Sequence, residues 1–221
     1  MIPLRDSTPS HKFPIITVTL IVINILIFFY EAAAGPELLN QIIYTFGLVP
    51  ANYSIYQVPW TGYLPFVSSV FLHGSWMHVI GNMWILWLFG DNVEDKMGKG
   101  RFLVFYLLCG LLAGMTHFLI NPASQVPVVG ASGAVAGIMG AYFLMFRHAK
   151  VLTYIPPVFL LNLPAWIYLG FWALSQLFYG VFQTANQGQI AFWAHIGGFA
   201  AGMFLYRIFL KKPLQDFDEL R

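Results

Sequence analysis

Six long apolar runs, separated by short polar connections, constrain this chain more than any other feature. A helix needs about 17 to 25 predominantly apolar residues to cross a bilayer. By that measure the predicted membrane spans are residues 14–32, 72–90, 102–121, 132–148, 158–182 and 190–210. Only 9% of the residues are charged, against about 25% in ordinary soluble domains. The predicted fold is therefore an all-α polytopic membrane protein, a bundle of six transmembrane helices.

The segments around these runs give the domain organisation. Residues 1–13 form an N-terminal segment, residues 14–210 the six-helix transmembrane domain, and residues 211–221 a polar tail. Within the domain, residues 33–71 contain four prolines and scattered aromatic residues. This segment is too broken for a straight span and too apolar for a free loop, so we expect it to lie in the outer membrane interface.

The distribution of basic residues predicts the orientation of the bundle. All eleven Lys and Arg residues lie at the N-terminus, between spans two and three, between spans four and five, or at or beyond the end of span six. Six spans place all of these positions on one side, which the positive-inside rule makes the cytoplasmic side. We therefore expect a multi-pass protein with both termini in the cytoplasm. The lack of a long extra domain at either end is compatible with the bacterial inner membrane.

Two reactive side chains are predicted to lie at the same depth in the membrane. From Ser132 to Phe146, just before the basic Arg147, span four has 15 residues, about 22 Å of helix in a hydrocarbon layer of roughly 30 Å. Ser132 then lies on the order of 8 Å below the outer surface. His195 lies five residues into span six from the same side, again roughly 8 Å deep. Polar residues inside a membrane are candidates for function by default.

Small residues on spans four and six favour close contact between these helices. Gly133 and Gly137 on span four, and Gly198 and Gly202 on span six, have the spacing that lets two backbones approach each other. Such packing would bring the hydroxyl of Ser132 to the imidazole of His195. A hydroxyl and a neighbouring base are the minimum for nucleophilic catalysis.

Span two supplies candidate donors for an oxyanion. His78 and Asn82 are four residues apart, hence on one helical face near the outer end. The backbone amide of Ser132 is a third candidate, because the first N–H groups of a helix have no partner within it. Since no acidic residue is placed to orient His195, the pattern favours a catalytic dyad over a triad.

These residues together resemble the rhomboid family of intramembrane serine proteases. The family's nucleophile motif matches Gly130-Ala131-Ser132-Gly133, and its His-x-x-x-Asn helix matches His78 to Asn82. The helix of the base matches Ala194-His195-Ile196-Gly197-Gly198. A further Glu-x-x-x-Gly-x-x-x-Phe motif matches Glu94, Gly98 and Phe102. The likeness extends over about residues 14–210, in the order of the family.

The resemblance implies hydrolysis of single-span transmembrane substrates near the outer leaflet, at small residues in segments that unwind easily. It makes Ser132 the nucleophile, His195 the base, and Asn82, His78 and the Ser132 amide the oxyanion site. It also makes the fifth helix, residues 158–182, a lateral gate. One departure concerns a tyrosine that many members carry four residues after the serine, packed on the base. This chain has Ala136 there, which leaves open what orients the imidazole.

Two other functions are compatible with a helical membrane bundle. A catalytically silent rhomboid-like protein would bind client transmembrane helices, although degenerate relatives usually lack the serine or the histidine. A transporter or channel would carry charged or broken helices at midplane, which the pattern does not contain. A metalloprotease would need a His-Glu-x-x-His helix or clustered carboxylates. We therefore expect no metal, no cofactor and no nucleic-acid partner, and membrane lipids as the surroundings.

Overall fold

The computed structural model of the protein describes residues 1–55, 59–182 and 190–211. This part of the chain is mostly helical, with two short 3₁₀ turns at Trp60–Tyr63 and Ser69–Phe71. In chain order, its elements are β1 (Ile2–Asp6), α1 (Ile15–Ala33), α2 (Pro36–Phe46), α3 (Pro50–Ile55), α4 (Pro65–Ser68), α5 (Trp76–Met97), α6 (Lys99–Ile120), α7 (Ser132–Met145), β2 (Lys150–Ile155), β3 (Phe159–Pro164), α8 (Ala165–Phe182) and α9 (Phe192–Phe209). The predicted tail is described only at Lys211, and the rest of it lies outside the described residues.

All six predicted spans contain a helix. The bounds of α1, α6 and α9 agree with spans one, three and six to within three residues. Helix α5 begins later than span two, at Trp76, because the hydroxyl of Ser75 accepts a hydrogen bond from the His78 amide and caps the helix. It then continues beyond residue 90 to Met97. By length and composition, α1, α6 and α8 are apolar enough to cross a membrane, whereas α7 is apolar but shorter.

The all-α prediction is wrong near the N-terminus and in the connection between α7 and α8, which together form a three-stranded antiparallel sheet. Strand β2 lies between β1 and β3, with Ile2 opposite Tyr154 and Lys150 opposite Pro164. The helix of span five consequently begins at Ala165, and residues 159–164 are strand. A short apolar run does not distinguish a strand from a buried helix by periodicity alone. Span four likewise ends at Met145 and not at residue 148.

The predicted N-terminal segment and the predicted interfacial segment at 33–71 both have regular structure. The N-terminal segment packs on α5, where the indole Nε1 of Trp84 donates a hydrogen bond of 2.7 Å to the carbonyl of Pro3. The segment at 33–71 contains the short helices α2, α3 and α4. It is tied to the loop before α7 by an antiparallel bridge between Leu48 and Val128. That bridge fixes the outer segment against the chain that leads to Ser132.

Helix α7 is the centre of the bundle and contacts α5, α6, α8 and α9. Its contact with α9 leaves no space for a side chain at the crossing. A methyl group on Gly198 would collide with the carbonyl of Gly133, and one on Gly202 with the carbonyl of Gly137. The backbones of the two helices are therefore in direct contact, as small residues at a membrane-helix crossing allow.

A buried carboxylate fixes the start of α1 against α5. The two oxygens of Glu94 accept hydrogen bonds from the Ile16 amide at 3.0 Å and from the Thr17 amide at 2.8 Å. The Thr17 hydroxyl donates a third, at 2.9 Å. A negative charge at a helix N-terminus satisfies free amides and interacts well with the helix dipole. Glu94 therefore has a structural role, the capping of a neighbouring helix.

Candidate active site

The hydroxyl of Ser132 and the imidazole of His195 are in hydrogen-bond contact, with 2.8 Å between Oγ and Nε2. Ser132 is the first residue of α7, and His195 lies in the first turn of α9. The direct packing of the two glycine pairs described above holds these helix ends together. The two residues that the sequence predicts as nucleophile and base are thus brought together by the fold.

Gly130 shapes the backbone that leads into Ser132. Its φ of +123° lies in the region that disfavours side chains, and its amide donates a 2.8 Å hydrogen bond to the carbonyl of Ser69. A Cβ at this position would lie 2.6 Å from the ring of His78. Two features therefore require glycine at position 130: its backbone conformation and its closeness to the ring of His78, a predicted oxyanion residue.

Asn82 and His78 face the same site from α5. Asn82 is 8% exposed, and its buried Nδ2 has no hydrogen-bond partner among the described residues. An unsatisfied buried donor is uncommon because it loses its bonds to water without replacement. The first hydrogen bond of α7 runs from the Val135 amide to the Ala131 carbonyl. The amides ahead of it, including that of Ser132, precede the helical ladder.

A cavity of about 1350 Å³ connects these groups. Ser132, His195, Asn82 and His78 all line it, together with residues from α6, α8 and the loop before α7. Among the described residues of its wall there is no Asp, Glu, Lys or Arg. Nor do three His, Cys, Asp or Glu side chains of the described chain form a group suited to a metal ion.

Sequence reasoning missed the residues that hold the imidazole. The Nδ1 atom of His195 lies 2.7 Å from Oε1 of Gln176 on α8. The ring centroid of Trp172, also on α8, lies 6.0 Å from the imidazole centroid. The ring centroid of Phe192, on α9 with His195 itself, lies 6.4 Å from it. The sequence pattern singles out neither Trp172 nor Gln176 as a site residue. The available signal was an amide in an apolar span, because such residues are expensive in a membrane.

Fold and site together define a helical membrane protein in which a serine and a histidine from two helices meet at a cavity whose described wall carries no Asp, Glu, Lys or Arg. The chain belongs to the rhomboid family, since the Rhomboid domain model matches residues 60–212. It is 30% identical over 197 residues to the rhomboid protease GluP of Bacillus subtilis, covering 86% of this chain and 34% of that protein.

Organellar proteins are similar to this chain as well. It is 29% identical over 160 residues to the mitochondrial Rhomboid protein 1 of Saccharomyces cerevisiae, covering 70% of this chain and 44% of that protein. It is 29% identical over 158 residues to the chloroplastic Rhomboid-like protein 11 of Arabidopsis thaliana, covering 70% of this chain and 55% of that protein. The chain thus spans between about a third and about half of the length of these curated relatives.

Proposed function

We propose that this protein is an intramembrane serine endopeptidase that cuts single-span transmembrane proteins near the outer leaflet. The observation that carries the proposal is the 2.8 Å contact between Ser132 Oγ and His195 Nε2 inside an apolar bundle. The name of the Bacillus relative, a rhomboid protease, agrees with it. Membership of the family alone does not decide the matter, because its members also include proteins named only rhomboid-like.

In the first half of the proposed reaction, Ser132 Oγ attacks the carbonyl carbon of the scissile bond while His195 Nε2 accepts the hydroxyl proton. Negative charge develops on the carbonyl oxygen. Asn82, His78 and Ser132 line the same cavity, and in this reaction the Asn82 amide, the His78 ring and the Ser132 backbone amide donate to that oxygen. The unpartnered Nδ2 of Asn82 supports this role, because a new acceptor would complete its hydrogen bonding.

In the second half, the imidazolium of His195 gives its proton to the leaving amine, and an acyl ester remains on Ser132. A water molecule then attacks the ester carbon, with His195 accepting the proton of that water. The same donors stabilise the second tetrahedral intermediate. Proton return to Ser132 Oγ releases the new carboxyl end of the substrate and restores the starting pair.

The depth of the site follows from the short α7. Its 14 residues correspond to about 21 Å of helix, less than the roughly 30 Å of the hydrocarbon layer. If the cytoplasmic end of α7 is at the membrane surface, Ser132 lies below the outer surface. We assign α1, α5, α6, α7, α8 and α9 as the six spans of a bacterial inner-membrane protein, and the basic residues predict that both termini lie in the cytoplasm.

The substrate must reach the cavity from the lipid and expose a peptide bond there. An uncharged cavity wall suits an apolar polypeptide segment. A transmembrane helix offers no free carbonyl to a nucleophile until it unwinds, so segments with small, helix-destabilising residues are the preferred sites. Helix α8 is the element through which we expect such a segment to enter, in keeping with the resemblance to the family.

The test is cleavage of a single-span reporter by the purified protein in liposomes. Ser132→Ala removes the nucleophile and is expected to abolish cleavage while leaving the thermal unfolding of the protein unchanged. Ser54→Ala is the matched control. Ser54 lies on α3, and its exposed hydroxyl donates a hydrogen bond to the carbonyl of Pro122, in the loop after α6. Cleavage that survives Ser132→Ala would overturn the proposal. A reporter that is retained but never cut by the unaltered protein favours the client-binding alternative.

A further inference from the structure

Apart from the hydroxyl of Ser132, three groups of the described chain hold the imidazole of His195, and none of them comes from the helix of the nucleophile. Position 136 on α7 is alanine, which is too short to reach the imidazole. The ring of His195 lies between Trp172 on α8 and Phe192 on α9, and its Nδ1 contacts Gln176 on α8. Two of the three groups that fix the ring therefore belong to α8.

A chain of hydrogen bonds fixes the direction of the Gln176 amide. The hydroxyl of Ser175 donates to the carbonyl of Trp172 at 2.6 Å, so its lone pairs are left to accept. Nε2 of Gln176 donates to that hydroxyl at 3.2 Å. Oε1 is then the atom that faces His195, at 2.7 Å. The orientation of an amide has to be assigned from its network, and here the network leaves one assignment.

The same chain determines the tautomer of the imidazole. A carbonyl oxygen has no proton to give, so Nδ1 of His195 must carry one and donate it to Gln176 Oε1. In the neutral ring, Nε2 then has the free lone pair, and Nε2 is the atom 2.8 Å from Ser132 Oγ. A base needs that tautomer to accept the proton of the nucleophile. Gln176 thus fills, without charge, the position that an aspartate has in a triad.

The helix that carries this amide is the one through which the substrate is expected to enter. Trp172, Gln176 and Tyr179 lie on one face of α8, three to four residues apart, and each contacts α9. We propose that Gln176 is the positioning residue of His195, and that it keeps the base competent only while α8 packs against α9. This inference rests on the proposed protease function and adds a regulation of its site.

The first test replaces the acceptor in the full-length protein. Gln176→Met retains the length of the side chain without the acceptor, and it is expected to lower kcat about tenfold at unchanged KM, the rate equivalent of one hydrogen bond. Asn24→Leu is the matched control, since it removes a buried amide on α1 that donates to the carbonyl of Leu20 and interacts with the Tyr106 hydroxyl, and that does not line the cavity. The control is expected to leave kcat within about twofold.

The pH–rate profile separates positioning from packing. Gln176→Glu keeps the shape and the acceptor, so it is expected to restore kcat relative to Gln176→Met. Its carboxylate also favours the imidazolium, so the acid limb of kcat/KM moves to higher pH, because the base becomes protonated earlier. A residue that only packs α8 against α9 would not move this limb. An acid limb that stays in place in Gln176→Glu overturns the positioning role.

The second test moves α8 without touching its amide. Gly180 lies one turn beyond Gln176, and a Cβ there would lie 3.4 Å from the side chains of Phe192 and Trp193 on α9. Gly180→Leu therefore pushes the outer end of α8 away from α9. It is expected to lower kcat as Gln176→Met does, and the double variant is expected to be no slower than either single variant. Additive losses would refute the link between helix position and base.

The outcomes distinguish this inference from the proposed function. If the unaltered protein cuts the reporter and Ser132→Ala does not, the protease function stands whatever Gln176 does. If, in addition, Gln176→Met keeps its full kcat, Gln176 does not position the base and the inference fails alone. If the unaltered protein is inactive, the proposed function fails, and the inference fails with it.

Discussion

The contact between α7 and α9 makes Gly198→Ala the most informative single substitution. One methyl group at this position runs into the carbonyl oxygen of Gly133, so the helices must separate by about 1 Å to restore van der Waals contact. Gly198 is one turn from His195, and Gly133 adjoins Ser132. A separation of that size lengthens the 2.8 Å contact between Oγ and Nε2 beyond hydrogen-bond range.

This substitution is expected to lower both kcat and the free energy of unfolding. Displacement of catalytic groups by about 1 Å lowers rates by about a hundredfold, so kcat for reporter cleavage is expected to fall by about that factor. Overpacking also lowers the free energy of unfolding by about 1 to 3 kcal/mol, to be measured in detergent. Gly100→Ala is the matched control, because its Cβ meets nothing within 4 Å.

A second position on the same contact separates stability from geometry. Gly202→Ala collides with the carbonyl of Gly137, about two turns from His195. It is expected to lower stability as Gly198→Ala does, with a smaller loss of kcat. Full activity and unchanged unfolding of Gly198→Ala would mean that the backbones of α7 and α9 are not in direct contact.

Three further substitutions test other parts of the structure. Asn82→Ala is expected to lower kcat by about 10² to 10³ with little change in KM or in unfolding, because its Nδ2 has no other partner to lose. Glu94→Gln removes a charge and at least one acceptor from the start of α1, and it is expected to lower the free energy of unfolding by about 1 to 2 kcal/mol with kcat intact. Asp91→Asn tests pH dependence near the C-terminal end of α5, past residue 90, where the predicted span two ends. Burial raises the pKa of the Asp91 carboxyl from 3.8 to about 6, and the nearby Asp6 adds repulsion. The folded protein therefore holds this proton more tightly than the unfolded chain, so its stabilising effect is complete below pH 3.8 and is lost as the pH rises through about 6. Asp91→Asn is expected to raise the free energy of unfolding by about 1 kcal/mol at neutral pH, allowing for the partial exposure of the carboxyl, and to have no effect in acid; an equal gain at both pH values would contradict this.

The reactive pair was accessible to sequence reasoning because its position follows from simple counting. The rise per residue of a helix and the thickness of a bilayer place Ser132 and His195 at one depth, and the glycine spacing indicates which helices touch. These arguments need only the local sequence pattern and the thickness of the bilayer. The length of the apolar runs also predicted the ends of α1, α6 and α9 to within three residues.

Features that depend on distant partners were not accessible in this way. Strand β1 pairs with β2 across more than 140 residues of sequence, with Asp6 opposite Val151. The residues of neither strand indicate which segment it pairs with. The role of Gln176 depends on the rotation of α8 about its axis, which turns the amide toward His195 and not toward lipid. An apolar helix gives little periodic signal for that rotation, because lipid accepts apolar residues on every outer face.

Labelling with a fluorophosphonate probe tests directly, without a known substrate, whether His195 activates Ser132. In the folded protein in detergent, we expect a covalent adduct that mass spectrometry locates on Ser132. We also expect labelling to be slower by about a hundredfold or more in His195→Ala, because the hydroxyl then lacks its base. An unlabelled Ser132 in the folded protein, or equally fast labelling without His195, would show that His195 does not activate Ser132.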